Sequence, residues 1–135
     1  MSTVVSVQVN QIGPATSEGH ARSHTALIDR PEAKGGQDRG AMGGEYLLMA
    51  LGGCFMSNLL AAIRARDAQI TNVRIAVNGT LEGPPQRFSA IEMIISADRD
   101  DEELMQKLVT ISERACIVAN TLKRATDLSL QIQSL

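Results

Sequence analysis

The sequence predicts an α+β domain built from two antiparallel sheets around two helices, of which the first is long and buried. Three observations support this fold class. The stretch from Tyr46 to Ile63 contains eighteen residues without a formal charge and carries leucine and isoleucine at helical spacing. A second stretch with helical spacing follows an acidic run near Asp100. Several other segments alternate apolar and polar residues, as half-buried strands do. We expect residues 1–135 to form a single domain.

The first helix is predicted from Gly43 to Arg66. Its apolar residues are not confined to one stripe, which indicates a core helix covered on most sides. Glu45 lies near its start and Arg64 near its end, the charge order that a helix dipole favours. The uncharged run is long enough to span a membrane, but glycine and polar residues occupy its centre. We therefore expect a core helix and no membrane partner.

Two or three short strands are predicted before this helix. Residues 3–10 place Val5, Val7 and Val9 on one face and polar residues on the other, which predicts a half-buried strand. Residues 20–29 supply one or two more strands. Residues 31–44 contain five glycines in fourteen positions and predict a loop that leads into the helix.

An antiparallel pair of strands is predicted after the first helix. The segments 70–80 and 88–97 both alternate apolar and polar residues, and Gly83-Pro84-Pro85 supplies the turn between them. Apolar residues also alternate with polar ones near the end of the sequence, which predicts a closing strand. Its apolar residues are Leu128, Leu130 and Ile132.

A second helix is predicted between the antiparallel pair and the closing strand. Asp100 and Glu103 have the spacing of a capping box, which marks the start of a helix. We expect the helix to end near Cys116. Its apolar stripe consists of Leu104, Leu108, Ile111 and Ala115.

Charge and cysteine content exclude several classes of function. The net charge is −2 and lysine and arginine form no run, so we expect no nucleic-acid partner. Two cysteines are too few for a disulfide-built secreted scaffold, and the first residues lack the features of a signal peptide, so a cytoplasmic protein is expected. His20 and His24 do not combine with the distant cysteines in the close pairs of a zinc site, so we expect no metal.

Two cysteine motifs resemble those of the OsmC/Ohr family, the osmotically inducible and organic-hydroperoxide-resistance proteins. The stretch EYLLMALGGC, which ends at Cys54, resembles the family's E-L-x-L-x-A-L-G-x-C. The stretch CIVANTL, which begins at Cys116, resembles C-P-V-x-x-T-L, and the 116 − 54 = 62 positions between the cysteines are about as in the family. With the RSHT stretch that begins at Arg22, the resemblance covers roughly residues 20–132. It implies an intertwined homodimer in which both chains cover each long helix.

The resemblance also implies a cysteine-based peroxidase that reduces organic hydroperoxides and, more weakly, hydrogen peroxide. Cys54 would react as a thiolate and become a sulfenic acid, and Cys116 would condense with it to form an intramolecular disulfide. A dithiol such as a lipoyl-bearing protein would then reduce the disulfide by exchange. No cofactor is implied.

A reactive thiol needs a cationic or hydrogen-bonding neighbour that lowers its pKa. In the family an arginine serves this purpose and a carboxylate holds the guanidinium. Carried onto this sequence, the arginine is Arg22 and the carboxylate is Glu45. Arg30 and Arg39 remain alternatives for the arginine.

An apolar substrate pocket is expected around the long helix near Leu51, Phe55 and Met56, which favours organic hydroperoxides as substrates. The chain also departs from the family pattern at three places. Ile117 and Ala119 replace a proline and a histidine, and two glycines at positions 43–44 replace Asn-Pro. These departures keep open a second hypothesis, a non-catalytic member of the fold that binds a ligand or serves in stress without turnover.

Overall fold

A computed structural model describes residues 2–133 of the protein. Its strands are β1 (Gln8–Gln11), β2 (Ser17–Ala21), β3 (His24–Ile28), β4 (Ile70–Glu82) and β5 (Arg87–Arg99). Its helices are α1 (Gly43–Ala65), α2 (Glu102–Ala115) and α3 (Ile117–Leu122), with a 3-10 turn at Glu32–Lys34. The predicted α+β class with two antiparallel sheets is confirmed, and α3 is an additional helix that the pattern did not predict.

The chain divides into two compact units, one up to Leu47 and the other from Leu48 onward. The boundary falls within α1. The single domain expected over residues 1–135 stays a prediction.

The first unit contains a three-stranded antiparallel sheet in the order β1-β2-β3. β2 and β3 form a hairpin in which Ala21 pairs with His24, so only Arg22 and Ser23 make the turn. Arg22 has a φ of 57°, a left-handed conformation of the kind found in tight hairpin turns. β3 and the end of β2 fulfil the prediction of strands within residues 20–29.

The N-terminal strand is shorter and more exposed than predicted. Regular pairing covers only Gln8–Gln11, and Val5, Val7 and Val9 are 89%, 69% and 58% exposed. The expectation of a half-buried strand over residues 3–10 is therefore wrong for the single chain. β1 is the edge of its sheet, and alternation along a strand leads to burial only where another layer covers the apolar face.

The glycine-rich segment folds around one buried carboxylate, that of Asp29, which is only 3% exposed. Thr16 donates its hydroxyl to this carboxylate at 2.8 Å, and three backbone N–H groups also donate, from Arg30 at 2.7 Å, Arg39 at 3.2 Å and Gln37 at 3.4 Å. Burial by itself would raise the pKa of Asp29. The four hydrogen bonds outweigh burial, and the pKa lies below its ordinary value.

Glycine is required in this segment because backbone approaches backbone closely. A Cβ added at Gly36 would collide with the carbonyl of Arg30, and one added at Gly40 would collide with the carbonyl of Leu27. Gly36 and Gly40 can therefore lie against the backbone of Arg30 and Leu27 only because glycine has no side chain. The predicted loop is a packed structure.

The second unit is a long antiparallel hairpin packed against helices. β4 and β5 pair through Ile75 with Ile95 and Val77 with Met93. The buried core also includes Phe55, Leu59, Met105, Leu108 and Cys116. Burying a large apolar side chain stabilises a fold by roughly 1.5–3 kcal/mol. Exposed ion pairs contribute about 0–1 kcal/mol each, so this core dominates the stability of the unit.

The predicted long helix is confirmed as α1. Its buried residues are Leu51, Gly52, Phe55, Leu59, Ala62 and Ile63. A Cβ at Gly52 would lie 3.0 Å from Val77, so glycine lets the helix pack closely on β4. Leu47, Met49 and Leu60 are exposed, so the single chain covers only one face of α1. The expectation of a helix covered on most sides is therefore wrong for the single chain. By length and composition alone, α1 could cross a membrane, but core helices of soluble proteins meet the same criterion.

α2 starts one residue later than its capping pattern predicts. The N-cap is Asp101, whose carboxylate accepts the N–H of Leu104 at 3.0 Å, and not Asp100. Leu108 is buried as predicted, whereas Ala115 of the predicted stripe is exposed. The face that meets the core is centred on Leu108 and also buries Met105 and Ser112.

The predicted closing strand is absent from the described residues. Leu128, Leu130 and Ile132 are 87%, 90% and 100% exposed, and the last regular element described is α3. Among the described residues β4 and β5 pair only with each other, so the terminal segment joins neither outer edge of this hairpin. Alternation by itself does not make a segment pair with an available edge.

We expect Asp29→Asn to destabilise the first unit at neutral pH, because the amide offers one acceptor where the carboxylate offers two. The folded pKa of Asp29 is lowered, so its contribution is present above the ordinary pKa of aspartate, about 3.9. That contribution is lost as pH falls through the lower folded pKa. Urea unfolding of parent and variant from pH 7 to pH 2 measures the difference.

The exposed Asp38, mutated to Asn, is the matched control for this experiment. The account of the loop is wrong if both variants unfold at the same urea concentration as the parent at pH 7.

Candidate active site around two cysteines

Cys54 lies in the middle of α1 and is half-buried. Asn58 follows one helical turn later on the same face. The Asn58 side-chain amide donates to the Cys54 carbonyl at 3.0 Å, and its nitrogen lies 4.0 Å from the Cys54 sulfur. The thiol therefore has a polar neighbour within an otherwise apolar helix.

Cys116 lies at the junction of α2 and α3 and is fully buried. It ends α2 and caps the start of α3, where its sulfur accepts the N–H of Ala119 at 3.4 Å. This geometry fixes the position of the second sulfur. The prediction that α2 ends near Cys116 is confirmed.

The structure places the two thiols near enough for each to shift the pKa of the other. Burial acts to raise the pKa of Cys54. The backbone N–H of Val118, the thiol of Cys116 and the backbone N–H of Ile117 outweigh burial, so the pKa of Cys54 lies below its ordinary value. All three groups are uncharged and belong to the second unit.

Cys116 shows the opposite behaviour. Burial raises its pKa, and the hydrogen bond and negative charge of Cys54 raise it further, against the opposing effect of the N–H groups of Ala119 and Val118. The pair therefore ionises first at Cys54. Cys54 is also the thiol that solvent reaches, so exposure and ionisation both make it the more reactive of the two thiols.

An apolar cleft of about 360 Å³ lies between α1, the hairpin, α2 and α3, and neither cysteine is among its lining residues. Leu51 and Phe55 line it, whereas Met56 does not, and their role in binding a substrate stays a prediction. Ala119, which donates to the Cys116 sulfur, also lines this cleft. The remaining lining residues are Ile91, Met93, Ile95, Val109, Glu113, Leu122 and Lys123.

One ion pair borders the cleft and joins the end of α2 to the residue after α3. Lys123 donates to Glu113 at 2.6 Å, and both side chains are about half exposed. The cleft thus has apolar walls and one charged edge, a composition suited to a mainly apolar small molecule.

The two other predicted catalytic residues lie at element ends. Arg22 occupies the exposed turn between β2 and β3. Glu45 accepts the backbone N–H of Met42 at 2.8 Å, which is the carboxylate half of a capping box at the start of α1. The alternatives, Arg30 and Arg39, donate backbone N–H groups to Asp29. The catalytic roles of Arg22 and Glu45 stay predictions.

The structure identifies donors to Cys54 that the sequence analysis missed. The amide of Asn58 could have been noticed, because it stands four positions after Cys54 inside an uncharged run. The N–H groups of Ile117 and Val118 carry no sequence signal, since every residue except proline has a backbone N–H group.

The histidines considered as metal ligands include His20, whose side chain pairs with Glu18 at 2.9 Å. In residues 2–133 no group of three His, Cys, Asp or Glu side chains could hold a metal ion.

Comparison with known proteins identifies relatives by family and by fold. The family model described as OsmC-like protein matches residues 35–131. An OsmC-like protein from Mycoplasma pneumoniae has a TM-score of 0.78 at 16% identity, with 91% of this chain and 89% of that chain covered. A hypothetical protein from Aquifex aeolicus VF5 has a TM-score of 0.77 at 18% identity, with 90% and 89% covered.

A third similar structure is an organic hydroperoxide resistance protein from Elizabethkingia anophelis. Its TM-score is 0.69 at 16% identity, with 91% of each chain covered. At these identities the solved structures establish the fold alone. No curated protein matches the sequence significantly.

We expect iodoacetamide to modify Cys54 well before Cys116 in the reduced protein. The Cys54 thiol is more exposed and ionises at lower pH, whereas the buried Cys116 thiol keeps its proton. The rate at Cys54 should rise as pH increases through its lowered pKa and then level off. Peptide mass spectrometry of samples quenched over time measures both sites.

Unfolded protein in denaturant provides the control, because both cysteines should then react alike. Faster modification of Cys116 in the folded protein would contradict this assignment of the two thiols.

Proposed function

Because the chain belongs to the OsmC-like protein family, we propose that it is a thiol peroxidase that reduces organic hydroperoxides to alcohols. One observation carries the proposal: a half-buried thiol of lowered pKa lies near a buried second thiol whose pKa is raised. This arrangement supplies a nucleophile together with a partner for its oxidised form. The apolar cleft lined by Ala119, whose N–H donates to the Cys116 sulfur, supports an organic substrate in preference to hydrogen peroxide.

The first step is attack of the Cys54 thiolate on the terminal oxygen of the hydroperoxide. An S–O bond forms, the O–O bond breaks, and the alkoxide takes up a proton and leaves as the alcohol. Cys54 is then a sulfenic acid. The N–H groups of Ile117 and Val118, which favour the thiolate, hold the sulfur in place for this attack.

The second step joins the two sulfurs. Cys116 attacks the Cys54 sulfur, a disulfide forms, and the oxygen leaves as water after taking up a proton. The raised pKa of Cys116 suits this order, because Cys116 stays protonated while the Cys54 thiolate is present. Loss of that charge on oxidation removes one cause of the raised pKa, which favours ionisation of Cys116.

A dithiol regenerates the enzyme by thiol–disulfide exchange. We propose a lipoyl-bearing protein or a comparable dithiol as the donor, following the resemblance to the OsmC/Ohr family. Sustained peroxide consumption with dihydrolipoamide, and much slower consumption with the monothiol glutathione, would support this proposal. Equal rates with both reductants would count against it.

We propose that the Arg22 guanidinium interacts with the Cys54 thiolate or with the peroxide, and that the Glu45 carboxylate orients this guanidinium. The resemblance supports these roles, and the exposed position of Arg22 leaves its guanidinium available. The proposed site of action is the cytoplasm, where thiols are kept reduced.

We also propose a homodimer. The protomer exposes apolar side chains in three places, namely the N-terminal valines, the outer face of α1, and the segment with Leu128, Leu130 and Ile132. Extended exposed apolar surface of this kind usually marks a contact between proteins. A second chain would also give the uncovered face of α1 the burial that its composition favours.

Cys54→Ser should abolish consumption of cumene hydroperoxide, because a serine hydroxyl is not ionised at neutral pH. Without reductant, Cys116→Ser should still consume about one equivalent of peroxide but form no internal disulfide, because no resolving thiol remains. Peroxide loss with dihydrolipoamide measures the first effect, and peroxide loss with intact mass in the absence of reductant measures the second. Ser57→Ala, an exposed position on the same helix, is the control and should retain parent activity.

Equal peroxide consumption by the parent and Cys54→Ser would contradict the proposed chemistry. If neither protein consumes any peroxide, the non-catalytic hypothesis replaces it.

Leu60→Glu should shift the protein from dimer to monomer, because Leu60 lies exposed on α1 of the protomer and a charge there opposes burial between chains. Size-exclusion chromatography with light scattering measures the mass, against 14.5 kDa for one chain. Gln86→Glu, at the exposed β4–β5 turn, is the control and should remain dimeric. A parent that elutes as a monomer would rule out the dimer.

A further inference from the structure

Asn58 is an unusual residue for its position. Asparagine is a weak helix former, and here it lies inside a 23-residue helix, two turns from its end and within a mainly apolar stretch. Its side chain is half-buried, and within residues 2–133 both of its hydrogen bonds are to Cys54.

The geometry of the amide leaves one N–H group for the sulfur. A side-chain amide nitrogen carries two hydrogens. One is used by the Cys54 carbonyl at 3.0 Å, and the same nitrogen lies 4.0 Å from the Cys54 sulfur. That distance is long for a neutral thiol, which is a weak acceptor. A thiolate is a stronger acceptor and draws donors closer.

We propose that Asn58 is a positioning residue that donates its second amide N–H to the Cys54 sulfur when this thiol ionises. The sulfur then receives donors from two directions, from Asn58 on its own helix and from the backbone of Ile117 and Val118. The bond to the Cys54 carbonyl fixes the amide beside the sulfur before ionisation. The proposal deepens the proposed function, since a better-held thiolate is a better nucleophile, and it rests on that function only for its catalytic consequence.

The neighbouring Ser57 provides a comparison within the same helix. Its hydroxyl donates to the Gly53 carbonyl at 3.0 Å, which is the same bond to the residue four positions earlier that Asn58 makes. Ser57 is exposed and makes no contact with a sulfur in the hydrogen bonds of the described chain. A serine at position 58 could therefore keep the bond to the backbone while losing the reach to sulfur.

The test measures the rate of iodoacetamide alkylation at Cys54 against pH, in Cys116→Ser protein so that one thiol reacts. In that background Asn58→Ser should slow alkylation at neutral pH by roughly two- to tenfold, the range expected for one lost hydrogen bond. Asn58→Asp should slow it further, because a carboxylate opposes the thiolate. All rates should converge at high pH, where the thiol is fully ionised. Ser57→Ala should match the parent.

A purely structural role for Asn58 predicts a different result. Asn58→Ser would then follow the parent pH profile, or Ser57→Ala would shift the profile as much as Asn58→Ser, and either outcome overturns the proposal. Circular dichroism confirms that each variant is folded, and Asn58→Asp gives a second comparison if one variant fails to fold.

Alkylation does not require peroxide turnover. The role of Asn58 and the peroxidase activity are therefore tested independently, and either can be disproved while the other stands. A parent protein that consumes no cumene hydroperoxide would remove the peroxidase without touching the role of Asn58. With an active parent, Asn58→Ser should lower the rate constant for peroxide at neutral pH by the same factor as alkylation. An unchanged peroxide rate would overturn the catalytic consequence.

Discussion

The interaction between the Cys54 and Cys116 thiols, each of which shifts the pKa of the other, is the one on which the candidate site depends. It exists because a sharp junction between α2 and α3 buries Cys116 beside the middle of α1. The same junction directs the N–H groups of Ile117 and Val118 toward Cys54. One local feature of the chain therefore positions the second thiol and also stabilises the charge of the first. A change in α3 would affect both.

The long helix and the hairpin give this interaction its rigidity. Gly52 lets α1 pack closely on β4. Phe55 and Leu59, on the same helix as Cys54, are buried in the core. Such packing restricts the movement of the helix that carries the nucleophile. The neighbouring N–H groups then act on the Cys54 sulfur in mainly apolar surroundings, where each of them has a larger effect than in water.

Periodicity predicted the elements whose apolar faces meet within one chain. α1 and the β4–β5 hairpin were predicted to within a few residues because their patterns are long and their partners lie nearby. The valines of residues 3–10 and the segment around Leu130 show the same alternation but remain exposed, since no described layer covers them. The motifs identified both cysteines. Asn58 and the backbone donors depend on tertiary geometry, which neither periodicity nor motif spacing specifies.

The most direct test of the central claim is one equivalent of cumene hydroperoxide added to the fully reduced protein, followed by intact mass and disulfide mapping. The account predicts the loss of two hydrogens and a single linked peptide that contains Cys54 and Cys116. Cys116 alkylated in full after the reaction, with Cys54 over-oxidised or unchanged, would contradict it. In that case the interaction between the two thiols would not serve catalysis.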